Sequence, residues 1–158
     1  TEKSLENFFY IDIFLKLFPK AKFINTFRNI EDNIFAIYQQ ALTKLSWTHS
    51  IENIIKYTDN YLKIMDYFVK KYPSKIFSLN LEELTNKPEV TSKKIYSFSN
   101  LKWNEGVLDF HKRKDLVIST ASNIQIRRNI EKYDREKYRP YREFLKKFSH
   151  KYPWINKD

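Results

Sequence analysis

The sequence predicts an α/β fold, mostly helical with a short parallel sheet, in a single domain over residues 1–158. Two short apolar, β-prone runs, residues 21–27 and 75–81, alternate with segments whose apolar residues recur at helical spacing. No internal repeat or interdomain linker interrupts this order. Because two strands make a poor sheet, we expect further strands upstream and a domain that is truncated at its N-terminus.

Turn and cap residues position the elements of the N-terminal part. Residues 5–18 predict a mostly buried helix that ends before Pro19. Residues 21–27 (AKFINTF) predict a parallel strand buried on both faces. Asn29 then fits an N-cap, with acidic residues in the first turn that complement the helix dipole, and this helix runs to about Leu45.

The clearest helical period in the chain follows Ser50, which we predict as a cap. Apolar residues recur at i, i+3 and i+4 up to Tyr72, and Pro73 ends the helix. Three further helical segments are predicted, at residues 88–100, 104–110 and 138–150, the last of them basic and amphipathic. Residues 117–130 are polar and ambiguous, with partial helical character.

Cysteine and histidine usage limits the chemistry. The chain has no cysteine, which excludes disulfides and thiolate zinc sites and is compatible with the cytoplasmic location that we expect. Its three histidines, His49, His111 and His150, lack ligand spacing, so we expect no metal. The most apolar run, residues 8–18, is about half as long as a membrane span requires, and no signal peptide is visible.

Glycine is nearly absent, and Gly106 is its single occurrence. Loops that cradle phosphate need several glycines so that backbone N–H groups can converge on the oxygens. The chain therefore cannot contain such a loop. Because it also starts with Thr1 rather than methionine, we expect a fragment of a longer protein.

Positive charge is concentrated near the C-terminus. The net charge is +10, and residues 111–158 carry most of it. A basic C-terminal third predicts an anionic partner, namely a phosphorylated cofactor, a nucleic acid, an anionic membrane surface or a sulfated glycan. The alternative is that lysines keep an aromatic-rich protein soluble.

Two polar groups are candidate anion ligands. Arg28 follows the first predicted strand, where ligands of open α/β sheets bind, and its guanidinium suits phosphate. The alternative is an ion pair with Asp32 or Glu31 across the turn. Residues 119–128 place hydroxyls before paired arginines, which fits either a nucleotide site or a helix cap followed by a solvated basic turn.

Six segments of the chain form a recognisable series. They are residues 2–8 (EKSLENF), residues 17–24 (LFPKAKFI), Arg28, residues 84–88, residues 101–111 and the block Thr120-Ala121-Ser122 with Gln125-Ile126-Arg127. Read in order, they resemble the bacterial sulfotransferases related to tyrosylprotein and tetratricopeptide-linked sulfotransferases. Each is weak alone, but their order and spacing are specific. The resemblance implies a P-loop-NTPase-like sulfotransferase fold.

The resemblance also implies a co-substrate, 3′-phosphoadenosine-5′-phosphosulfate, and roles for five residues. Arg28 would hold the 3′-phosphate, while Thr120, Ser122 and Arg127 would line the adenosine and 3′-phosphate side. Lys3 would stabilise charge on the bridging oxygen of the transferring sulfuryl group. The loop for the 5′-phosphosulfate would lie upstream, so we expect the chain alone to be inactive.

Four positions depart from the family pattern. Ala36 replaces a hydroxyl that would bind the 3′-phosphate, and Leu81 replaces an aromatic residue beside adenine. Asp134 and Glu136 replace the small residues of a Ser-x-Gly segment, where carboxylates should repel a phosphate. All four departures fall at positions of the donor site, so they bear on that site rather than on the fold.

The sequence thus predicts the C-terminal part of a sulfotransferase that acts on a hydroxyl of a carbohydrate, peptide or small metabolite. We expect no nucleic-acid partner and no membrane span, and we expect self-association through an exposed sheet edge. The alternative is a non-catalytic basic module that binds nucleic acid or sulfated glycan.

Overall fold

The computed structural model describes residues 1–113 and 127–155. Within them, the α-helices and strands are α1 (Ile11–Leu17), β1 (Phe23–Phe27), α2 (Ile30–Gln40), α3 (Ile51–Lys71), β2 (Ile76–Asn80), α4 (Leu81–Asn86) and α5 (Pro88–Phe98). Four 3-10 helices complete the described part, at Asn7–Tyr10, Ser46–His49, Glu105–Lys112 and Arg139–Phe148.

The two strands pair in parallel, in register from Phe23 opposite Ile76 to Phe27 opposite Asn80. The connection between them runs through α2 and α3. The prediction of a helix-rich chain with a short parallel sheet is therefore confirmed for the described residues. Since both strands run the same way, their carboxyl ends meet at one edge of the sheet.

Two predicted features of the strands need correction. The second strand ends at Asn80 rather than Leu81, because the Asn80 side chain accepts hydrogen bonds from the N–H groups of Glu82 and Glu83 and so begins α4. The prediction that β1 is buried on both faces is wrong. Ile24 and Phe27 are 43% and 40% exposed, because the described residues leave part of this strand uncovered.

The start of α2 was predicted correctly and its end was not. Asn29 is the N-cap, and its Oδ1 accepts the N–H of Asp32 at 3.0 Å. The helix ends at Gln40 instead of about Leu45, because Ala41 adopts the left-handed conformation with φ of 41°. Ser50 lies at the N-cap of α3 as predicted, but its side chain makes no cap hydrogen bond.

α3 organises the core because it contributes to both of its clusters. Its N-terminal half packs in the cluster of Ile34, Ile54, Ile55, Leu145, Tyr152 and Ile155. Its C-terminal half packs in the cluster of Phe8, Ile11, Met65, Phe68 and Ile76. The last part of the chain thus shares one cluster with α2, and the first part shares the other with β2.

The predicted buried helix over residues 5–18 is wrong in two respects. It is a 3-10 turn followed by the short α1, and within it only Phe8 and Ile11 are buried. The exposed large side chains are Leu5, Phe9, Tyr10, Ile13, Leu17 and Phe18. A surface helix buries only one stripe of side chains against its neighbour, and this segment packs against α3. The apolar run in the sequence therefore could not show which of its side chains are exposed.

The C-terminal segment is helical as predicted, but it forms a 3-10 helix over Arg139–Phe148. Its core-facing Leu145 and Phe148 are three residues apart, a spacing that aligns side chains in a three-residue turn. Residues 114–126 and 156–158, with most of the ambiguous segment 117–130, lie outside the described residues. No helix in the described ranges is both long and apolar enough to cross a membrane.

Candidate anion site at the strand ends

The carboxyl edge of the sheet is where α2 and α4 begin. Phe27 and Asn80 are paired at this edge. α2 starts at Ile30, three residues after Phe27, and α4 starts at Leu81, directly after Asn80. The N–H groups of a first helical turn have no partners within the helix and give that end a partial positive charge. The edge therefore favours negatively charged groups.

Arg28 lies at this edge, immediately after β1. Its side chain is partly buried, and its Nε donates to Oδ1 of Asn33 at 3.3 Å. The alternative of an ion pair between Arg28 and Asp32 or Glu31 does not appear among the described ion pairs, where both carboxylates pair with Arg142. Among the described residues, the one hydrogen-bond partner of the Arg28 side chain is a neutral amide, and no described ion pair includes Arg28.

Asp32 is the buried charge of the site, with 0% of its surface exposed. Its Oδ1 accepts from Nη2 of Arg142 at 2.8 Å and from Nε at 3.1 Å, and its Oδ2 accepts from the hydroxyl of Tyr133 at 2.6 Å. A buried carboxylate is tolerated when it is paired with a cation and hydrogen-bonded. Both conditions are met here by residues from the far end of the chain.

Tyr133 contacts Asp32 at the start of α2, the helix that follows Arg28. Burial raises the pKa of its phenol, and the hydrogen bond and negative charge of Asp32 raise it further, whereas the positive charge of Arg28 lowers it. The phenol therefore stays protonated and donates to Asp32. The hydrogen bond to Asp32 places the Tyr133 hydroxyl at the start of α2, at the same sheet edge as Arg28.

Residues 133–142, the C-terminal strap, are tied to both helices at this edge. The backbone N–H of Tyr133 donates to Oγ1 of Thr85 in α4 at 3.2 Å. Arg135 forms an ion pair with the half-buried Glu82, and its carbonyl accepts from Nη2 of Arg142 at 3.1 Å. The strap therefore spans from the start of α2 to α4 across the strand ends.

The structure places Arg28 at the same sheet edge as the strap, whereas the other predicted ligands lie elsewhere or outside the described residues. Thr120 and Ser122 lie outside the described residues. Arg127 is exposed and donates from Nη1 to the carbonyl of Arg113 at 2.6 Å. Lys3 is exposed in the first residues of the chain, and among the described hydrogen bonds and ion pairs none joins it to Arg28 or the strap.

The four departures from the family pattern have the following places. Ala36 and Leu81 are half-buried, in α2 and at the start of α4. Oδ1 of Asp134 accepts from the N–H groups of Glu136 and Lys137 at 2.9 and 3.2 Å, so this carboxylate caps its own backbone. Glu136 pairs with Arg139 at 2.8 Å.

Sequence reasoning missed Tyr133 and Arg142 as site residues. They lie 101 and 110 positions from Asp32, and no spacing rule connects residues so far apart. The concentration of basic residues near the C-terminus was the one signal that pointed in this direction. Across the described ranges, no group of three or more histidine, aspartate or glutamate side chains could hold a metal ion.

Comparison with known proteins identifies the family. Residues 1–105 match the sulfotransferase family. An uncharacterized protein of Aquifex aeolicus (strain VF5) is 32% identical over 148 residues, which cover 91% of this chain and 19% of that protein. The chain belongs to the sulfotransferase family, as the ordered motifs indicated, and it spans about a fifth of the length of this relative.

Proposed function

We propose that this chain is part of a sulfotransferase that moves a sulfuryl group from 3′-phosphoadenosine-5′-phosphosulfate to a hydroxyl of a carbohydrate, peptide or small metabolite. In this proposal Arg28 binds the 3′-phosphate of the donor. The supporting observation is that Arg28 stands at the carboxyl edge of the sheet, beside the start of α2, with a neutral amide as its side-chain partner among the described residues.

The position of Arg28 suits an oxyanion. Because Asn33 takes Nε, the two terminal nitrogens of the guanidinium are without a hydrogen-bond partner in the described part of the chain. A guanidinium binds phosphate through two parallel N–H groups, and a charge-assisted contact of this kind is worth about 1.5–3 kcal/mol. The helix N-terminus at Ile30 favours the same charge.

The remaining roles extend the family resemblance. Thr120, Ser122 and Arg127 would line the adenosine and 3′-phosphate side, and Lys3 would stabilise the developing charge on the bridging oxygen. The chain has a single glycine, so a loop that holds the 5′-phosphosulfate would come from residues outside it. The proposal needs no metal ion.

Calorimetric titration of the full-length protein tests the role of Arg28. Arg28→Ala should weaken binding of adenosine 3′,5′-bisphosphate about ten- to a hundredfold, the value of one charge-assisted contact. Binding of adenosine 5′-monophosphate, which lacks the 3′-phosphate, should barely change. Arg139→Ala is the matched control, since Arg139 is exposed and pairs with Glu136. Equal weakening for both nucleotides, or none, would remove Arg28 from the site.

A second candidate function is a polyanion-binding surface on the 3-10 helix Arg139–Phe148. Tyr141 and Phe144 are exposed there, and Nζ of Lys147 lies 3.8 Å from the centre of the Phe144 ring. Exposed rings beside cations are typical of surfaces that bind single-stranded nucleic acid. A melting temperature that rises with heparin and not with adenosine 3′,5′-bisphosphate would favour this function over the enzyme.

A further inference from the structure

Two arginines lie near one buried carboxylate at the strand ends. Asp32 follows Arg28 by four residues, in the first turn of α2. The Arg28 side chain reaches into the same turn, where its Nε donates to Oδ1 of Asn33, the residue after Asp32, at 3.3 Å. Within the described ranges, Arg28 and Arg142 are therefore the arginines at the start of α2 that could neutralise Asp32.

Arg142 holds the carboxylate. Its Nη2 and Nε both donate to Oδ1, and its Nη2 is anchored as well by the carbonyl of Arg135. The carboxylate of Glu31 lies 3.8 Å from Nε of Arg142, so a second negative charge faces the same guanidinium. Tyr133 occupies the other oxygen of Asp32, so both carboxylate oxygens are engaged on the side of the strap.

We propose that Arg142 is a positioning residue for the anion site: by holding Asp32, it prevents that carboxylate from neutralising Arg28. A buried carboxylate must be paired, so an Asp32 without Arg142 would turn to Arg28 as the nearby cation. Arg28 would then bind Asp32 in place of an anionic ligand. Tyr133 assists because it occupies the second oxygen. The identity of the ligand rests on the proposed function, but the competition for Asp32 does not.

The test measures the reactivity of Arg28 directly, in the full-length protein. Phenylglyoxal modifies guanidinium groups, and mass spectrometry gives the rate at Arg28. Arg142→Gln should slow this rate about tenfold, the low end of the value of a charge-assisted contact. The double variant Asp32→Asn with Arg142→Gln should restore the rate to within about threefold of wild type, because no carboxylate remains to pair with Arg28. Arg139→Gln, which removes an exposed charge from the same segment, should change nothing.

The double variant separates positioning from a structural role. Were Arg142 needed only to hold the strap, the double variant would lack that support as well, and the reactivity of Arg28 would not recover. Any of three results overturns the proposal: Arg28 does not react with phenylglyoxal in wild type, its rate is unchanged in Arg142→Gln, or its rate is not restored in the double variant.

Tyr133→Phe gives a milder variant in case Arg142→Gln does not fold. It releases Oδ2 of Asp32 and leaves the Arg142 pair in place. The rate at Arg28 should fall by less than in Arg142→Gln, about two- to threefold, because Asp32 loses one hydrogen bond and keeps its ion pair with Arg142. An unchanged rate in this variant also overturns the proposal.

Titration with adenosine 3′,5′-bisphosphate keeps the two proposals apart. If the nucleotide is the ligand, its affinity should follow the Arg28 rates across the same variants. If the rates behave as expected and the nucleotide does not bind to wild type, the proposed function fails while the role of Arg142 stands. If the nucleotide binds through Arg28 and Arg142→Gln binds it as wild type does, the role of Arg142 fails alone.

Discussion

Arg142 donates two hydrogen bonds to one oxygen of the fully buried Asp32, although the two residues are 110 positions apart. The pair joins the last described helix to the first turn of α2. It does so at the sheet edge where Arg28 lies, so one contact both stabilises the fold and defines the candidate site.

This contact predicts a large stability loss on truncation. Arg142→Ala would break the buried ion pair with Asp32, and breaking such a pair costs about 3–5 kcal/mol when the carboxylate stays unpaired. We expect the low end, about 3 kcal/mol, because Arg142 is 29% exposed and Asp32 can turn to Arg28. Urea unfolding at pH 7 measures this loss. Arg139→Ala, which breaks an exposed pair, should cost less than about 1 kcal/mol. Similar losses for the two variants would contradict the prediction.

A second cluster predicts how stability depends on pH. The Asp12 carboxylate accepts from the hydroxyl of Tyr72 at 2.5 Å and from Nζ of Lys71 at 3.0 Å, which links α1 to α3. The hydrogen bond from Tyr72, then that from Lys71, lowers the pKa of Asp12 below its usual 3.8. This contribution is therefore complete above pH 3.8 and is lost as the pH falls through the lowered pKa.

Thermal melting between pH 2.5 and pH 7 tests this link. Asp12→Asn should be less stable than wild type at pH 7, and the difference should shrink as the pH falls below about 3.8, where wild type loses the same interaction. Asp66→Asn is the control, because Asp66 pairs with Lys70 within α3 and links no second element. A difference that stays constant across the range would contradict the role of Asp12.

The exposed side of β1 predicts self-association. In the described ranges β1 pairs with β2 alone, and Ile24 and Phe27 are exposed on it. An unpaired edge with apolar side chains favours pairing with a second copy. We expect the average mass from light scattering to rise with concentration, and Ile24→Lys to reduce that rise. Val90→Lys, at an exposed position of α5, is the control. A constant monomer mass at high concentration would refute it.

Local chemistry made much of the fold predictable. The periodicity of α3, the Asn29 cap and the prolines each act within a few residues, and these predictions were close to the structure. Arg28 was predicted at the strand end because a strand and a capped helix fix that position between them. The ordered motifs likewise predicted the family that the comparisons identify.

What the sequence did not reveal depends on tertiary contacts. The alternative interpretation of Arg28 was an ion pair with Asp32 or Glu31, its neighbours in sequence, but the partner of Asp32 is Arg142, which the fold brings from the other end of the chain. The apolar run before β1 was expected to be buried, yet hydropathy does not tell which side of a helix finds a neighbour. Both corrections concern which elements meet.

Two tyrosines of α3 offer a matched test of how well buried hydroxyls are satisfied. Tyr61 donates to Oδ1 of Asn25 in β1 at 2.6 Å. The buried hydroxyl of Tyr57, one helical turn earlier, has no partner among the described residues, although its ring stacks on Trp47 with 3.9 Å between ring centres. Replacing tyrosine by phenylalanine therefore removes a hydrogen bond at position 61, whereas at position 57 it removes a hydroxyl that makes none in the described part of the chain.

We expect opposite effects on the free energy of unfolding. Tyr61→Phe should destabilise by about 1 kcal/mol or somewhat more, since it leaves the Asn25 oxygen without its donor. Tyr57→Phe should be neutral or stabilising by up to about 1 kcal/mol, because it removes a hydroxyl that is desolvated without compensation and keeps the stacked ring. Urea unfolding of both variants, with unchanged m-values, measures the difference. A loss for Tyr57→Phe as large as that for Tyr61→Phe would mean that the Tyr57 hydroxyl has a partner in the folded protein, and would refute the prediction.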